Sequence, residues 1–216
     1  TVITHDLDDS ADNNDDIDQF VVSDLSSGAV TFGITNAAAT NTIDGLNYTS
    51  SNALTILSAG SITISGGIQN AGTGNLTLAA GWNPAVLPAN LLTAPNAYSN
   101  TNASLTVSGV STGGNLVLAS GGSIGQTGAI SAQSLAVTAN GTIALSNSGN
   151  SFTTASLSSG GSASLYNATS LTVSGARAGG DLALSSGGSI GQSGAINAQG
   201  LTVTTSSAIA LNNTGN

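Results

Sequence analysis

Residues 104–150 read SLTVSGVSTGGNLVLASGGSIGQTGAISAQSLAVTANGTIALSNSGN, and residues 170–216 read SLTVSGARAGGDLALSSGGSIGQSGAINAQGLTVTTSSAIALNNTGN. Extended by one residue at their starts, the two stretches align without a gap at an offset of 66, and 31 of 48 positions are identical. Self-similarity at a fixed long period is typical of a solenoid, in which each repeat packs against its neighbours. We therefore expect a stack of similar units.

Within the repeat, apolar residues come in pairs two positions apart, such as Leu105/Val107, Leu116/Leu118 and Leu135/Val137. This spacing indicates short β-strands, because alternate side chains of a strand share a face. Corresponding apolar residues recur at offsets between 19 and 22 along the chain, and Gly, Ser and Asn turns separate the strands. The pattern predicts an all-β parallel β-helix, or solenoid, with about 19–22 residues per coil and three coils per repeat. A β-sandwich is the alternative, since it also has many short, regularly spaced strands.

The chain divides into an acidic N-terminal segment, residues 1–18, and a β-helical region, residues 19–216, which contains the repeat copies 103–150 and 169–216. Residues from about 79 to 101 interrupt the pattern and hold all three prolines. Because proline cannot donate to a strand ladder, we expect this segment to be a loop outside the stack. The second copy stops at Asn216 where the first continues, which predicts a piece of a longer array.

Composition argues against several classes of partner. The net charge is −9 with one Arg and no Lys, so little is available to neutralise a nucleic-acid backbone. No apolar stretch approaches membrane-spanning length, so we expect no membrane insertion. The absence of Cys excludes disulfides and thiolate chemistry. We therefore expect neither a nucleic acid nor a membrane interior as the partner.

Three stretches resemble the filamentous-haemagglutinin family of large bacterial exoproteins: GGDLALSSGGSIGQSGAI (179–196), LTVTTSSAIALNNTGN (201–216) and SITISGGIQNAGTGNLTLAAGWN (61–83). The resemblance covers about residues 45–216. It implies a right-handed β-helical stalk that is secreted or lies at the bacterial cell surface and serves adhesion. The family's secretion domain carries Asn-Pro-Asn-Leu motifs, whereas this chain has Asn83-Pro84-Ala85. The resemblance therefore implies a passenger segment, and it transfers no functional residue.

The expected partners follow from the adhesive stalk that the resemblance implies. They are a host-cell, matrix or glycan ligand, or another copy bound through the ends of the coil stack, since unpaired sheet edges promote association. A carbohydrate-binding or polysaccharide-degrading β-helix is an alternative function. A calcium-dependent surface assembly module is another.

The acidic segment is the candidate metal site. Carboxylate oxygens are the ligands that calcium prefers, and closely spaced aspartates could wrap one ion. The candidate calcium ligands are Asp6, Asp8, Asp9, Asp12, Asp15, Asp16 and Asp18. A solvated acidic linker is the other interpretation, because blocks of like charge repel one another. Calcium is the one cofactor that the sequence suggests.

Trp82 and Tyr98 flank the proline-rich loop and are candidate ligand-binding residues, because amphipathic rings stack on sugars or partners. The alternative is that Trp82 folds back over the neighbouring coils. Asp44 and Asp181 are isolated in sequence, so the acid pair of a glycoside hydrolase is not apparent. Arg177 is expected in a loop. We therefore expect a structural or adhesive protein without catalytic residues.

Overall fold

The computed structural model describes residues 2–4, 25–92 and 96–216. In these ranges the chain forms a β-solenoid of about nine turns, in which all strands pair in parallel. Strands inside a sheet pair with strands that lie one coil earlier and one coil later in the sequence, as the strands Asn115–Ser120 and Ser134–Ala139 do. A β-sandwich is excluded, because its sheets are built largely from antiparallel strands.

The coil crosses three sheets in turn, which we call the first, second and third faces. The 11-stranded first sheet contains β1 (Val2–Thr4), β2 (Val30–Ile34), β5 (Leu54–Ser58), β8 (Leu76–Ala80), β11 (Asn115–Ser120), β14 (Ser134–Ala139), β16 (Thr154–Ser159), β18 (Leu171–Ala178), β20 (Ile190–Gln192), β21 (Ile196–Asn197) and β23 (Ile209–Ala210). The 8-stranded second sheet contains β3 (Thr40–Ile43), β6 (Ser61–Ile64), β9 (Leu105–Val107), β12 (Ile124–Gln126), β15 (Ile143–Leu145), β17 (Ala163–Asn167), β19 (Leu182–Ser186) and β22 (Leu201–Thr205). The 4-stranded third sheet contains β4 (Leu46–Tyr48), β7 (Ile68–Asn70), β10 (Val110–Thr112) and β13 (Ile130–Ser131).

Strand β18 joins two faces, which explains the unequal sheet sizes. Its first residues, Leu171–Val173, pair with β20 and follow β17 on the second face, so they lie on the third face. Thr172 and Val173 also pair with Thr154 and Ala155 of β16, and after a register shift the rest of β18, up to Ala178, continues beside β16 on the first face. The third face therefore continues through β20 and β23, which pair with each other. These two strands are counted in the first sheet because backbone pairing through β18 connects them to it.

The core is a set of apolar ladders inside the coil. Leu54, Leu76, Leu116 and Leu135 are successive partners on the first face, and each is at most 2% exposed. Their strands alternate buried and outward residues, as the paired apolar positions in the sequence predict. Burying one such leucine stabilises the fold by about 2 kcal/mol.

The repeat does not correspond to a whole number of coils. Leu118, Val137, Leu157 and Ala176 are successive partners on the first face, and their residue numbers differ by 19, 20 and 19. Leu184 is the counterpart of Leu118 in the second copy, yet it belongs to β19 on the second face. Equivalent residues of the two copies are therefore rotated by one face around the axis. The prediction of three coils per repeat is therefore wrong. Each repeat spans three coils and about one third of a fourth, because each coil is shorter than one third of the repeat.

Glycine occupies corners where neighbouring coils approach most closely. At the corner between the first and second faces, a Cβ on Gly160 would lie 2.1 Å from the carbonyl oxygen of Asn140 in the preceding coil. A Cβ on Gly179, one coil later, would lie 2.1 Å from the carbonyl oxygen of Gly160. No side chain fits at these distances, so glycine here permits the coils to stack.

A buried amide closes the turn between the second and third faces. Asn150 Oδ1 accepts a hydrogen bond from the Ile130 backbone N–H at 2.9 Å. Its Nδ2 donates to the carbonyl oxygens of Leu145 and Tyr166, each at 3.2 Å. Gln126 also exchanges hydrogen bonds with this amide. Asn150 thus links three consecutive coils, and it is fully buried.

Candidate functional site

The candidate calcium ligands from Asp6 to Asp18 lie outside the described residues, and calcium binding there stays a prediction. Within the described ranges, no group of three or more His, Cys, Asp or Glu could hold a metal ion.

Asp44 and Asp181 lie far apart along the stack. Asp44 follows β3 and accepts a hydrogen bond from the Ser65 hydroxyl at 2.6 Å. Asp181 precedes β19, which lies six strands further along the second sheet. At about 4.8 Å per coil, the two carboxylates are separated by roughly 29 Å along the axis. They do not form the acid pair that glycoside hydrolysis requires, in which the carboxyl groups lie within about 10 Å of each other.

The surface of the described coils is polar and almost uncharged. The charged side chains in the described residues are Asp44, Asp181 and Arg177. Arg177 is exposed on β18, and its counterpart Ser111 lies on β10, so the expected loop position for Arg177 is wrong. The outward positions are mostly Ser, Thr and Asn, whose hydrogen bonds run from coil to coil, as between Ser134 and Asn115.

The predicted loop lies between β8 and β9, so it begins after Ala80 and not at residue 79. Trp82 and Tyr98 form an antiparallel bridge at its base. The Trp82 side chain is 6% exposed and packs against Leu57, Ala79, Leu91 and Ala119. Leu57 and Ala119 belong to neighbouring coils, so the ring covers the outside of the first face.

Both polar atoms of this aromatic pair have partners within the loop. Trp82 Nε1 donates to the Val86 carbonyl oxygen at 3.0 Å, and the Tyr98 hydroxyl donates to the Leu91 carbonyl oxygen at 3.0 Å. Burial raises the pKa of Tyr98 to about 12. As placed, the two rings anchor the loop. Ligand binding by them stays a prediction, and it would require the loop to open.

Sequence reasoning missed the part of the loop that faces solvent. Leu87 is 70% exposed and Leu92 is 49% exposed, on either side of a 3-10 turn at Pro88–Asn90. Asn100, nearer the end of the loop, donates to the Ala37 carbonyl oxygen at 2.9 Å and so ties the loop to an earlier coil. A rigidly anchored loop with apolar residues at its surface is a suitable contact point for a partner.

An open hollow of about 340 Å³ lies on the third face. Asn47, Gln69 and Ser111 line it from three adjacent strands, where they are register partners. Tyr48 also lines the hollow, yet its hydroxyl is buried without a hydrogen-bond partner in the part of the chain that the structure describes. Burial raises the pKa of Tyr48 to about 12. No pattern in the sequence indicated this hollow, since its residues are separated by one or two coils.

In the described ranges, no helix is long and apolar enough to cross a membrane.

Comparison with known proteins identifies the repeat. Residues 94–159 and residues 160–216 each match the family described as repeats of unknown function (DUF5649). The starts of the two matches are separated by the same offset as the repeat copies, and together the matches cover more than half of the chain. No curated protein and no solved structure matches the chain. The chain belongs to the DUF5649 repeat family.

Proposed function

We propose that the chain is a segment of a secreted or cell-surface exoprotein, of the filamentous-haemagglutinin type, that acts as a stalk with an adhesive surface. The observation that carries the proposal is the unbroken parallel stack through both repeat copies. Such a stack lengthens by about 4.8 Å with every coil, and its backbone hydrogen bonds run along the axis. Added repeats therefore extend a stiff rod without changing its cross-section.

The surface supports the same role. Neutral Ser, Thr and Asn side chains give a hydrated exterior with little charge to attract unrelated ions or polymers. Contact with a host-cell, matrix or glycan ligand is made at the loop between β8 and β9, where Leu87 and Leu92 are exposed. The anchored Trp82 holds that loop in place. In this proposal the protein works by geometry and binding, without a catalytic reaction.

The adhesive role can be tested with beads that carry the chain, flowed over cultured cells and over immobilised matrix glycans. We expect the beads to be retained under shear, and the double variant Leu87→Ser/Leu92→Ser to lose most of that retention. Leu201→Ser/Ile209→Ser is the matched control, because it alters two similarly exposed apolar residues on the last coil. Retention equal to that of albumin-coated beads would contradict the adhesive role.

The proposed location has a separate test. Antibodies raised against the chain should label intact cells of the source bacterium or detect the protein in the culture medium. Labelling that requires permeabilised cells would contradict a surface location.

A further inference from the structure

The hollow on the third face brings together side chains from three coils. Asn47 on β4, Gln69 on β7 and Ser111 on β10 are register partners, and all three line the hollow. Because adjacent parallel strands lie about 4.8 Å apart, these side chains form an outward column about 10 Å long. Thr49 and Ala71 are exposed directly after β4 and β7 and also line the hollow. Each of three stacked coils therefore contributes one polar side chain to a single open site.

The column offers donors and acceptors that the protein itself leaves unused. In the described part of the chain, the side chains of Asn47 and Ser111 make no hydrogen bond to the protein. Gln69 Nε2 donates to the Gly109 carbonyl oxygen at 2.7 Å, which fixes the amide and leaves its Oε1 free to accept. An amide group and a hydroxyl each provide both a donor and an acceptor. The hollow thus presents both kinds of group side by side in a fixed order.

The lining argues against an ionic ligand and against a peptide strand. No residue that lines the hollow is charged, so an anionic or cationic group bound there would lose water without gaining a counter-charge. Strands β7 and β10 are each paired on both sides. A peptide strand therefore finds no free backbone groups on these strands within the hollow.

A neutral glycan meets the requirements of the site. Its hydroxyls donate and accept hydrogen bonds, as the column does, and it carries no charge. The C–H groups of its sugar rings can contact the exposed Ala71 methyl group. The volume of about 340 Å³ is at the lower end of the range for small-molecule sites, so the hollow holds a short stretch of such a chain while the rest extends into solvent.

We propose that the hollow formed by Asn47, Gln69 and Ser111 binds a short stretch of a neutral glycan. Sugar hydroxyls donate to Gln69 Oε1 and exchange hydrogen bonds with the Asn47 amide and the Ser111 hydroxyl. The site is separate from the loop between β8 and β9, which leaves the stack between the first and second faces. It rests on the proposed adhesive role for its biological use, and the binding itself rests on the hollow alone.

The test uses the full chain labelled with ¹⁵N and three neutral tetrasaccharides: cellotetraose, maltotetraose and chitotetraose. We expect at least one of them to shift the side-chain amide signals of Asn47 and Gln69 in NMR spectra as it is titrated. A sulfated heparin tetrasaccharide should leave these signals unchanged, because no cationic residue lines the hollow. Shifts with the sulfated sugar alone, or with none of the neutral ones, would overturn the proposal.

Matched variants locate the binding. Ser111→Ile fills the hollow and removes a hydroxyl, so it should weaken binding by about tenfold or more, and Asn47→Ala should weaken it by about fivefold through the loss of one hydrogen bond. Ser131→Ile is the control, because Ser131 is the partner of Ser111 one coil further and lies outside the hollow. Circular dichroism checks that each variant is folded. Equal weakening by Ser111→Ile and Ser131→Ile, or unchanged binding in Ser111→Ile and Asn47→Ala, would overturn the site.

The loop variant separates this site from the adhesive loop. Leu87→Ser/Leu92→Ser should bind the tetrasaccharide as the unaltered chain does. If it loses that binding while Ser111→Ile keeps it, the glycan is bound at the loop, and the hollow is overturned although the adhesive role stands. If the tetrasaccharide binds at the hollow while beads are not retained on cells, the adhesive role fails and the hollow stands.

Discussion

At the scale of single residues, two tyrosines bury their hydroxyl groups in different ways. Among the described residues the Tyr48 hydroxyl has no hydrogen-bond partner, whereas the Tyr98 hydroxyl donates to the Leu91 carbonyl oxygen. An unsatisfied buried hydroxyl destabilises a fold, so Tyr48→Phe should raise the free energy of unfolding by about 1 kcal/mol. Tyr98→Phe is the matched control and should lower it by about 1 kcal/mol. Urea denaturation measures both, and a loss of stability in Tyr48→Phe would contradict the placement of that hydroxyl.

The same two residues predict a loss of stability at high pH. Burial raises the pKa of Tyr48 and of Tyr98 from 10.0 to about 12. Above pH 10 the unfolded chain therefore releases these protons before the folded chain does, and the free energy of unfolding falls as the pH rises from 10 to 12. Urea denaturation at intervals between pH 8 and pH 12 should show a plateau followed by this decline. A decline of the same steepness in the variant lacking both hydroxyls would contradict the assignment.

Gly160 tests the close approach of coils at the corner. In Gly160→Ala the new Cβ would meet the Asn140 carbonyl oxygen at 2.1 Å, so we expect a loss of about 2–3 kcal/mol of stability from overpacking. Gly125→Ala is the control, because no atom lies within 4 Å of the added Cβ. It should be neutral or slightly stabilising, since glycine weakens a strand interior. Equal destabilisation by the two changes in thermal unfolding would contradict the coil geometry.

At the scale of elements, the corner amide is the most informative position. Asn150→Leu would leave the Ile130 N–H and the Leu145 and Tyr166 carbonyl oxygens without this partner, so we expect a loss of about 3 kcal/mol. Asn216→Leu makes the same change at the equivalent but exposed corner and should cost less than about 1 kcal/mol. Chemical denaturation of both variants gives the comparison. If Asn216→Leu lowered the free energy of unfolding as much as Asn150→Leu does, burial within the stack would not explain the loss of stability at Asn150.

The strands of the first and second faces could be predicted from the sequence, because their inward positions are apolar pairs such as Leu116/Leu118. The third face was harder to recognise. Strand β13 has two residues, Ile130–Ser131, and the polar Asn150 occupies a buried corner beside it. A single apolar residue does not show the two-residue spacing that indicates a strand. The hydrogen bonds of a buried amide cannot be inferred from the residues next to it in the sequence. The extra third of a coil in each repeat was missed for this reason.

The proline-rich loop illustrates the same limit. Its existence follows from the three prolines, and packing of Trp82 on the coils was one of the two interpretations that the sequence allowed. Which leucines face solvent could not be predicted, because Leu87, Leu91 and Leu92 are alike in sequence while only Leu91 is buried among the three. Leu91 is buried because it packs against residues of the first face, and those residues lie up to two coils away in the chain.

At the scale of the whole molecule, the mismatch between repeat and coil determines how the surface is presented. Equivalent outward residues of successive repeats lie on successive faces, so an array of three repeats would show the same residues on all three sides of the rod. A partner that recognises the repeat could then bind from any direction around the axis. An array with a whole number of coils per repeat would present them on one side only.

The most direct test of this arrangement is a comparison of two distances measured with spin labels. The chain has no Cys, so labels attach only at introduced cysteines. Ile124, Ile143, Ala163 and Leu182 are stacked partners, which puts the next residues, Gly125 and Ala183, in one outward column. Gly191 is the repeat counterpart of Gly125 and lies on β20 of the third face.

We predict that the pair Gly125→Cys/Ala183→Cys, whose members are three coils apart, gives the shorter distance, with about 14 Å between backbones. The pair Gly125→Cys/Gly191→Cys, whose members are one full repeat apart, should give a longer and separate distance, because its labels lie on different faces. A shorter distance for the second pair would mean that each repeat spans a whole number of coils, and it would contradict the architecture described here.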